Sequence, residues 1–171
     1  MHNLWAPWRI EYILSKKQPG CIFCDKVQED RDRENYILHR GRTAFIMLNT
    51  YPYNNGHLMV IPYAHVGSIE ELSTEAVTEM MQLVQRSVRA LRKSCLPEGF
   101  NIGMNIGRSA GAGVADHVHM HVVPRWHGDT NYMGVLANTH TIPELLETTY
   151  DRLIAAGLAT PPLTGQGPEQ K

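Results

Sequence analysis

Cysteine is scarce in this chain: Cys21, Cys24 and Cys95 are the only three among 171 residues. An odd, low count offers no disulfide framework and suits a reducing compartment, so a cytoplasmic location is expected. No apolar run approaches the roughly 18 residues of a membrane span. The opening Met1–Arg9 lacks a basic start followed by an apolar stretch, so no secretory leader is expected. Charge of one sign is missing too. Sixteen Lys and Arg against 17 Asp and Glu leave a net −1, which speaks against nucleic acid or a membrane surface as a partner. Any anion must be held by a local site. Histidine, by contrast, is plentiful: there are nine, and three fall within five residues.

At 43% hydrophobic and 19% charged, the chain has the composition of one ordinary globular domain. Residues 1–20 read as an irregular N-terminal arm anchored by Trp5, Trp8 and Tyr12. Residues 21–157 form the domain, and residues 158–171, rich in Pro, Gly and Gln, are expected to be a disordered tail. The charge run Glu29–Glu34 reads as a solvated connection. Strands are expected at Tyr36–His39 and Ala44–Leu48, forming a hairpin about Arg40-Gly41-Arg42, and at His57–Ile61, stopped by Pro62. Val77, Met80, Met81, Val84, Val88 and Leu91 recur at helical spacing within Ser68–Ser94, with Ser73 as N-cap. Pro97 and Gly99 end that region. Asn101–Ile106 and Val118–Val123 are the fourth and fifth strands, and 143–156 is a second amphipathic helix opening at Pro143. These elements imply an α+β fold with an antiparallel sheet.

The histidines lie on the fifth strand. Alternate strand residues share a face, so His117, His119 and His121 point one way and Val118, Met120 and Val122 the other. Neighbours on the histidine face stand about 6.6 Å apart and the outer pair about 13 Å apart. Two such histidines can hold one ion, but the third is hard to bring to it. A row of three serves better as a central reacting group with outer groups that orient, donate protons or bind a separate ligand. A neutral imidazole is a nucleophile, and its attack on phosphorus would split one displacement into two. The preceding loop, Gly107-Arg108-Ser109-Ala110-Gly111-Ala112-Gly113, suits phosphate: glycines let backbone N–H groups come close, and Arg108 and Ser109 add side-chain donors. Cys21-Ile22-Phe23-Cys24 is a C-x-x-C pair, half of a zinc site, a thiol pair without metal, or a redox pair. No βαβ pattern surrounds it to favour the last. Cys95 reads as a small buried residue.

His117-Val118-His119-Met120-His121-Val122-Val123-Pro124-Arg125 resembles the signature of the histidine-triad (HIT) superfamily, and Gly56-His57-Leu58-Met59-Val60-Ile61-Pro62 resembles a second family segment. The likeness spans roughly 21–150. Leu48–His57, Leu4–Arg9 and Pro124–Asp129 are most similar to the fragile-histidine-triad-like branch, with its bacterial diadenosine tetraphosphate hydrolase- and phosphorylase-like members. The resemblance implies a five-stranded antiparallel sheet with one long helix and a C-terminal helix, the sheets of two chains joined in a homodimer. It implies that His119 becomes nucleotidylated, that His121 contacts the scissile phosphate and bridging oxygen, that His57 lies near the phosphates and that Asn49 lies near the ribose. Asn105 stands where hydrolase-like members carry a Gln that helps position phosphate or water; an asparagine there resembles the phosphorylase-like members. Gly113 replaces a hydroxyl residue of some members, and Gly111 and Gly113 belong to the phosphate loop. The family's metal-binding members complete a structural Cys₂His₂ zinc with His65 and His117.

The implied reaction is hydrolysis of dinucleoside polyphosphates through a nucleotidyl-histidine. A phosphorylase using orthophosphate is the alternative, favoured by Asn105. A purine nucleoside phosphoramidase is a narrower reading, which the arm and the Pro-Arg-Trp segment disfavour. Outside enzymes, a nucleotide-binding sensor or a protein using the histidine row for metal would fit the same residues.

Overall fold

The computed structural model describes residues 20–129 and 142–159. The aromatic anchors of the arm and all of the tail beyond Ala159 lie outside these. Five strands form one antiparallel sheet: β1 (Ile37–Arg40), β2 (Ala44–Leu48), β3 (Leu58–Pro62), β4 (Gly99–Met104) and β5 (Met120–Arg125), in the order β1-β2-β3-β5-β4. Helix α1 (Ile22–Gln28) precedes the sheet, the long α2 (Thr74–Cys95) joins β3 to β4, and α3 (Leu146–Leu153) follows β5. No helix of the described residues is long and apolar enough to cross a membrane.

The sheet is covered on both faces, so β2 and β3 are buried along their whole length. Alternation sorts their side chains. Ala44, Ile46, Leu48, Leu58, Val60 and Val122 meet Met80, Leu83, Val84 and Leu91 of α2 and Leu153 of α3. Phe45, Met47, Met59 and Ile61 meet Ile37 and Phe23 of α1 on the other face. The buried side of α2 is Ala76, Met80, Leu83, Val84, Ser87, Ala90 and Leu91, a 3.6-residue progression. Met81, assigned to that stripe by sequence, is instead 46% exposed. Ser73 caps α2 as expected, accepting the Ala76 N–H at 3.2 Å.

Several boundaries shift. A 3-10 turn at Ile69–Glu71 occupies what reads in sequence as the start of α2, and α2 stops at Leu96 in the left-handed conformation (φ 49) before Pro97. β4 begins at Gly99 rather than Asn101, because Gly99 pairs with Arg125. β5 starts at Met120 and runs through Pro124, which is tolerated because the β3 ladder ends at Val122. The second amphipathic helix opens later than expected, as α3 at Leu146, and continues into a π-helical turn, Ile154–Leu158. Leu158, placed by sequence at the head of the tail, is fully buried in the core. The C-terminal segment is tied down there by Arg86, which donates to the carbonyls of Gly157 and Ala159 at 3.0 and 2.9 Å. Cys95 is only half-buried.

Candidate active site and metal centre

The β3–β5 register builds the site. Met59 pairs with His121, so His57, two residues back along β3 and on the same face, is the diagonal neighbour of His121. His117 and His119 precede the ladder yet keep the histidine face, while Met120 and Val122 pack towards α2. Gly56 makes the turn into His57 possible: its φ is +74, and an added Cβ would meet Leu91 at 3.1 Å and Pro124 at 3.4 Å. The Asn49–Gly56 loop is pinned on two sides. Asn54 donates to the Pro124 carbonyl and to Asp129, and Asn55 donates to Glu144, which also accepts from Thr149 of α3.

Hydrogen bonding fixes the tautomer of each imidazole. A backbone N–H can only donate, so the Tyr53 N–H, 3.0 Å away, makes His57 Nδ1 an acceptor. The proton of neutral His57 therefore sits on Nε2 and is donated to His121 Nδ1 at 2.9 Å. His121 then carries its own proton on Nε2. For His119 the logic runs the other way. Its Nδ1 lies 2.9 Å from the His117 carbonyl, which can only accept, so the lone pair is on Nε2. The row thus presents one nucleophilic nitrogen and one N–H donor on rings whose centroids are 4.8 Å apart.

Burial keeps these rings neutral. His57 is pushed down to about 3 by burial first, then by charge on His121 and His119. His121 is pushed down to about 4 by burial and then by His119. Burial also lowers His119. Tyr53, half exposed, lays its ring on His57 and His121 at 4.5 and 5.4 Å. Asn49 is buried beside His57, its Nδ2 3.4 Å from Nδ1, and its Oδ1 accepts the Tyr51 N–H.

Four further donors converge at the end of the histidine row. The ligand atoms of Cys21, Cys24, His65 and His117 all lie within 4.8 Å of one another. Cys21 Sγ and Cys24 Sγ are 3.2 and 3.6 Å from His117 Nδ1, Cys24 Sγ is 3.4 Å from His65 Nδ1, and the two Nδ1 atoms are 3.3 Å apart. A tetrahedral zinc with ordinary bond lengths demands about 3.3 Å between nitrogens and about 3.6 Å between sulfur and nitrogen. The donor set fits that ion. His117 Nε2 donates to the Pro62 carbonyl at 2.9 Å, which leaves Nδ1 free of its proton and aimed at the thiols, as a ligating imidazole requires.

The glycine loop is less settled by contacts. Arg108 and Ser109 lie exposed in a 3-10 turn, Arg108–Ala110, bracketed by Gly107 and Gly111 with φ of 81 and 87. The N–H groups of Ala110, Gly111 and Ala112 donate to carbonyls of Gly107 and Arg108 within the turn. An added Cβ at Gly111 or Gly113 would meet nothing within 4 Å, so packing alone does not call for these glycines. Asn105 is half-buried at the end of β4. His127 is exposed and paired with Glu98 at 2.5 Å. Sequence reasoning misses α1 and the packing of Phe23 and Tyr53 against the histidines; the signals present are the C-x-x-C pair and the loop tyrosines.

Known proteins carry the same framework. The chain is 37% identical to the "AP-4-A phosphorylase" of Mycobacterium tuberculosis, over 95% of this chain and 87% of that one. It is 34% identical to the adenosine 5'-monophosphoramidase of Schizosaccharomyces pombe, over 62% of this chain and 74% of that one. A zinc-bound histidine-triad family protein from Mycobacterium smegmatis superposes with a TM-score of 0.64 at 30% identity, covering 80% of this chain and 92% of that one. Residues 31–128 match the HIT domain, and the chain belongs to the HIT-domain family.

Proposed function

We propose that this chain splits dinucleoside polyphosphates of the diadenosine tetraphosphate type, passing a nucleotidyl group through His119 to orthophosphate. The observation that carries the reading is the opposed tautomers: a lone pair on His119 Nε2 beside a proton on His121 Nε2. In the first step His119 Nε2 forms a bond to phosphorus and the bond to the bridging oxygen breaks. The departing nucleoside polyphosphate takes charge at that oxygen, where the His121 N–H donates. In the second step an oxygen of orthophosphate attacks, the N–P bond breaks and a nucleoside diphosphate leaves. His119 Nε2 recovers its lone pair, and His121 keeps its proton throughout, stabilising the leaving oxygen by a hydrogen bond. Asn49 and His57 serve the ribose and the phosphates, and Arg108, Ser109, Gly111, Gly113 and Asn105 serve the phosphate chain and the acceptor. Likeness to a relative named as a phosphorylase along nearly the whole chain favours orthophosphate over water.

Zinc is the ion proposed for Cys21, Cys24, His65 and His117; when bound it supplies a structural crosslink between α1 and the histidine row. Two chains are proposed to join along β4, the sheet edge that among the described residues pairs with β5 alone. The free thiols suit a cytoplasmic setting.

The test is product identification from diadenosine tetraphosphate with and without orthophosphate. Strong dependence on phosphate with ADP and ATP as products is expected. A rate indifferent to phosphate, with AMP and ATP formed, makes the enzyme a hydrolase by the same first step. Full turnover by His119→Ala removes both.

A further inference from the structure

We infer that Phe23 is a positioning residue, through which the Cys21–Cys24 knuckle holds the His119 imidazole at the angle its bond to the His117 carbonyl requires. This rests on the reading of His119 as nucleophile. Phe23 is 4% exposed. Its ring lies 5.0 Å from that of His119, tilted by 58°, and meets the edge of His117 at 5.4 Å. It therefore touches the nucleophile and the proposed metal ligand together, while the rest of its surface seats among Ile37, Phe45, Met47, Met59 and Ile61.

The placement follows from helix geometry. Cys21 caps α1 and Cys24 stands in its first turn. Residues three apart share a side, and the residue between is rotated by about 100° per step. The thiols face His65 and His117 while Phe23 faces the sheet. A helix of seven residues does not stand by itself, and α1 has no side-chain cap. The far end of α1 is tied by Arg40, which donates to the Val27 carbonyl at 2.7 Å, and by Asn35, which donates to the Lys26 carbonyl at 3.4 Å; the near end rests on the thiol donors and the Phe23 ring. Releasing the thiols therefore loosens the end that carries the ring bearing on His119. Among the described residues, the polar contact of His119 is the bond from Nδ1 to the His117 carbonyl, about which the ring could swing without walls. Among the same residues, the rings of Phe23 and His121 wall it in.

The experiment compares the zinc-loaded wild type with Phe23→Leu, which keeps an apolar side chain and loses the ring. The control is Ile37→Val in the same cluster. Diadenosine tetraphosphate with orthophosphate is the substrate, and bound zinc, melting temperature and the ¹⁵N resonances of His119 are recorded beside kcat and KM. Phe23→Leu is expected to keep one zinc and a KM within about twofold while kcat falls about 10- to 100-fold. The single Nδ1–H tautomer signature of His119 should become mixed or broadened. Ile37→Val should lose stability without that change. A kcat within about twofold of wild type and unchanged His119 resonances overturn the inference, as does an equal kcat loss in the control at equal melting temperature. If Phe23→Leu does not fold, wild type stripped of zinc decides: altered His119 resonances support the coupling and identical ones overturn it. Loss of activity in His119→Ala with full activity in Phe23→Leu defeats this inference alone; full activity in His119→Ala defeats the nucleophile reading beneath it.

Discussion

One backbone amide sets the tautomers of two of the site's histidines, His57 and His121. The Tyr53 N–H commits His57, and His57 commits His121. Because His57 and His121 sit near 3 and 4 rather than the usual 6.5, both stay neutral at every pH above about 5, and turnover should not show the loss near 6.5 that an exposed histidine would cause. Stability carries the opposite signature. The unfolded chain takes up protons below about 6.5 while the folded rings refuse them, so stability falls as pH drops from about 6.5 towards 4. Each ring contributes about 1.4 kcal/mol per pH unit in that window, and the slope levels off below the folded values. Urea midpoints between pH 7 and 4 measure this, and His57→Gln should flatten the slope by about one ring's share. An unchanged slope contradicts buried neutrality at His57. Alternation alone revealed that His117, His119 and His121 share a face. It could not reveal the His57–His121 bond, which depends on how β3 and β5 register, or Phe23, whose position depends on a helix too short to show a period.

Elements carry two further expectations. The β1–β2 turn is held from outside by α2: Glu79 accepts the N–H groups of Arg42 and Thr43 at 2.8 and 2.5 Å and the Thr43 hydroxyl. Gly41 is required there, since a Cβ would meet the Ala44 carbonyl at 2.6 Å and Glu79 at 2.8 Å. Glu79→Ala strands those donors at a half-exposed turn and should cost about 1–2 kcal/mol in a denaturant melt, with no change in zinc content. Cys24→Ser should do the reverse. It removes one of four donors, so bound zinc should drop from about one per chain to a small fraction, and α1, whose start the thiols help to hold, should lose protection from amide exchange before the sheet does. Retention of a full complement of zinc would show that the ion is held elsewhere. The legibility of the elements follows the same physics. α2 is long enough for its apolar period to declare itself, although the same spacing also admits the exposed Met81. Gly99 has the look of a terminator in sequence, and only its pairing with Arg125 places it in β4.

At the scale of the whole molecule, the sheet's two ends differ. β1 is buried at its side chains and capped by the C-terminal segment, where the Tyr150 hydroxyl donates to the Ile37 carbonyl and the Tyr36 hydroxyl to Glu147. Among the described residues β4 has no such cover: Asn101, Ile102 and Gly103 are exposed, Ile102 by 47%, and no strand of the described residues lies beside its outer edge. An open, apolar edge templates pairing with another chain, and an identical edge brought up by a twofold axis satisfies it symmetrically. The pairing would extend five strands to ten and place Gly103, the ladder partner of His121, in the interface, one strand from the histidine row. Light scattering should therefore give twice the 19.3 kDa chain mass. Ile102→Lys sets like charges near the axis and should yield monomers that still bind zinc. Because β4 supports β5 from that side, these monomers should also lose turnover more than melting temperature. A wild type that runs at one chain mass across the micromolar range rules out the edge pairing, and would leave the exposure of Ile102 as a property of the isolated subunit.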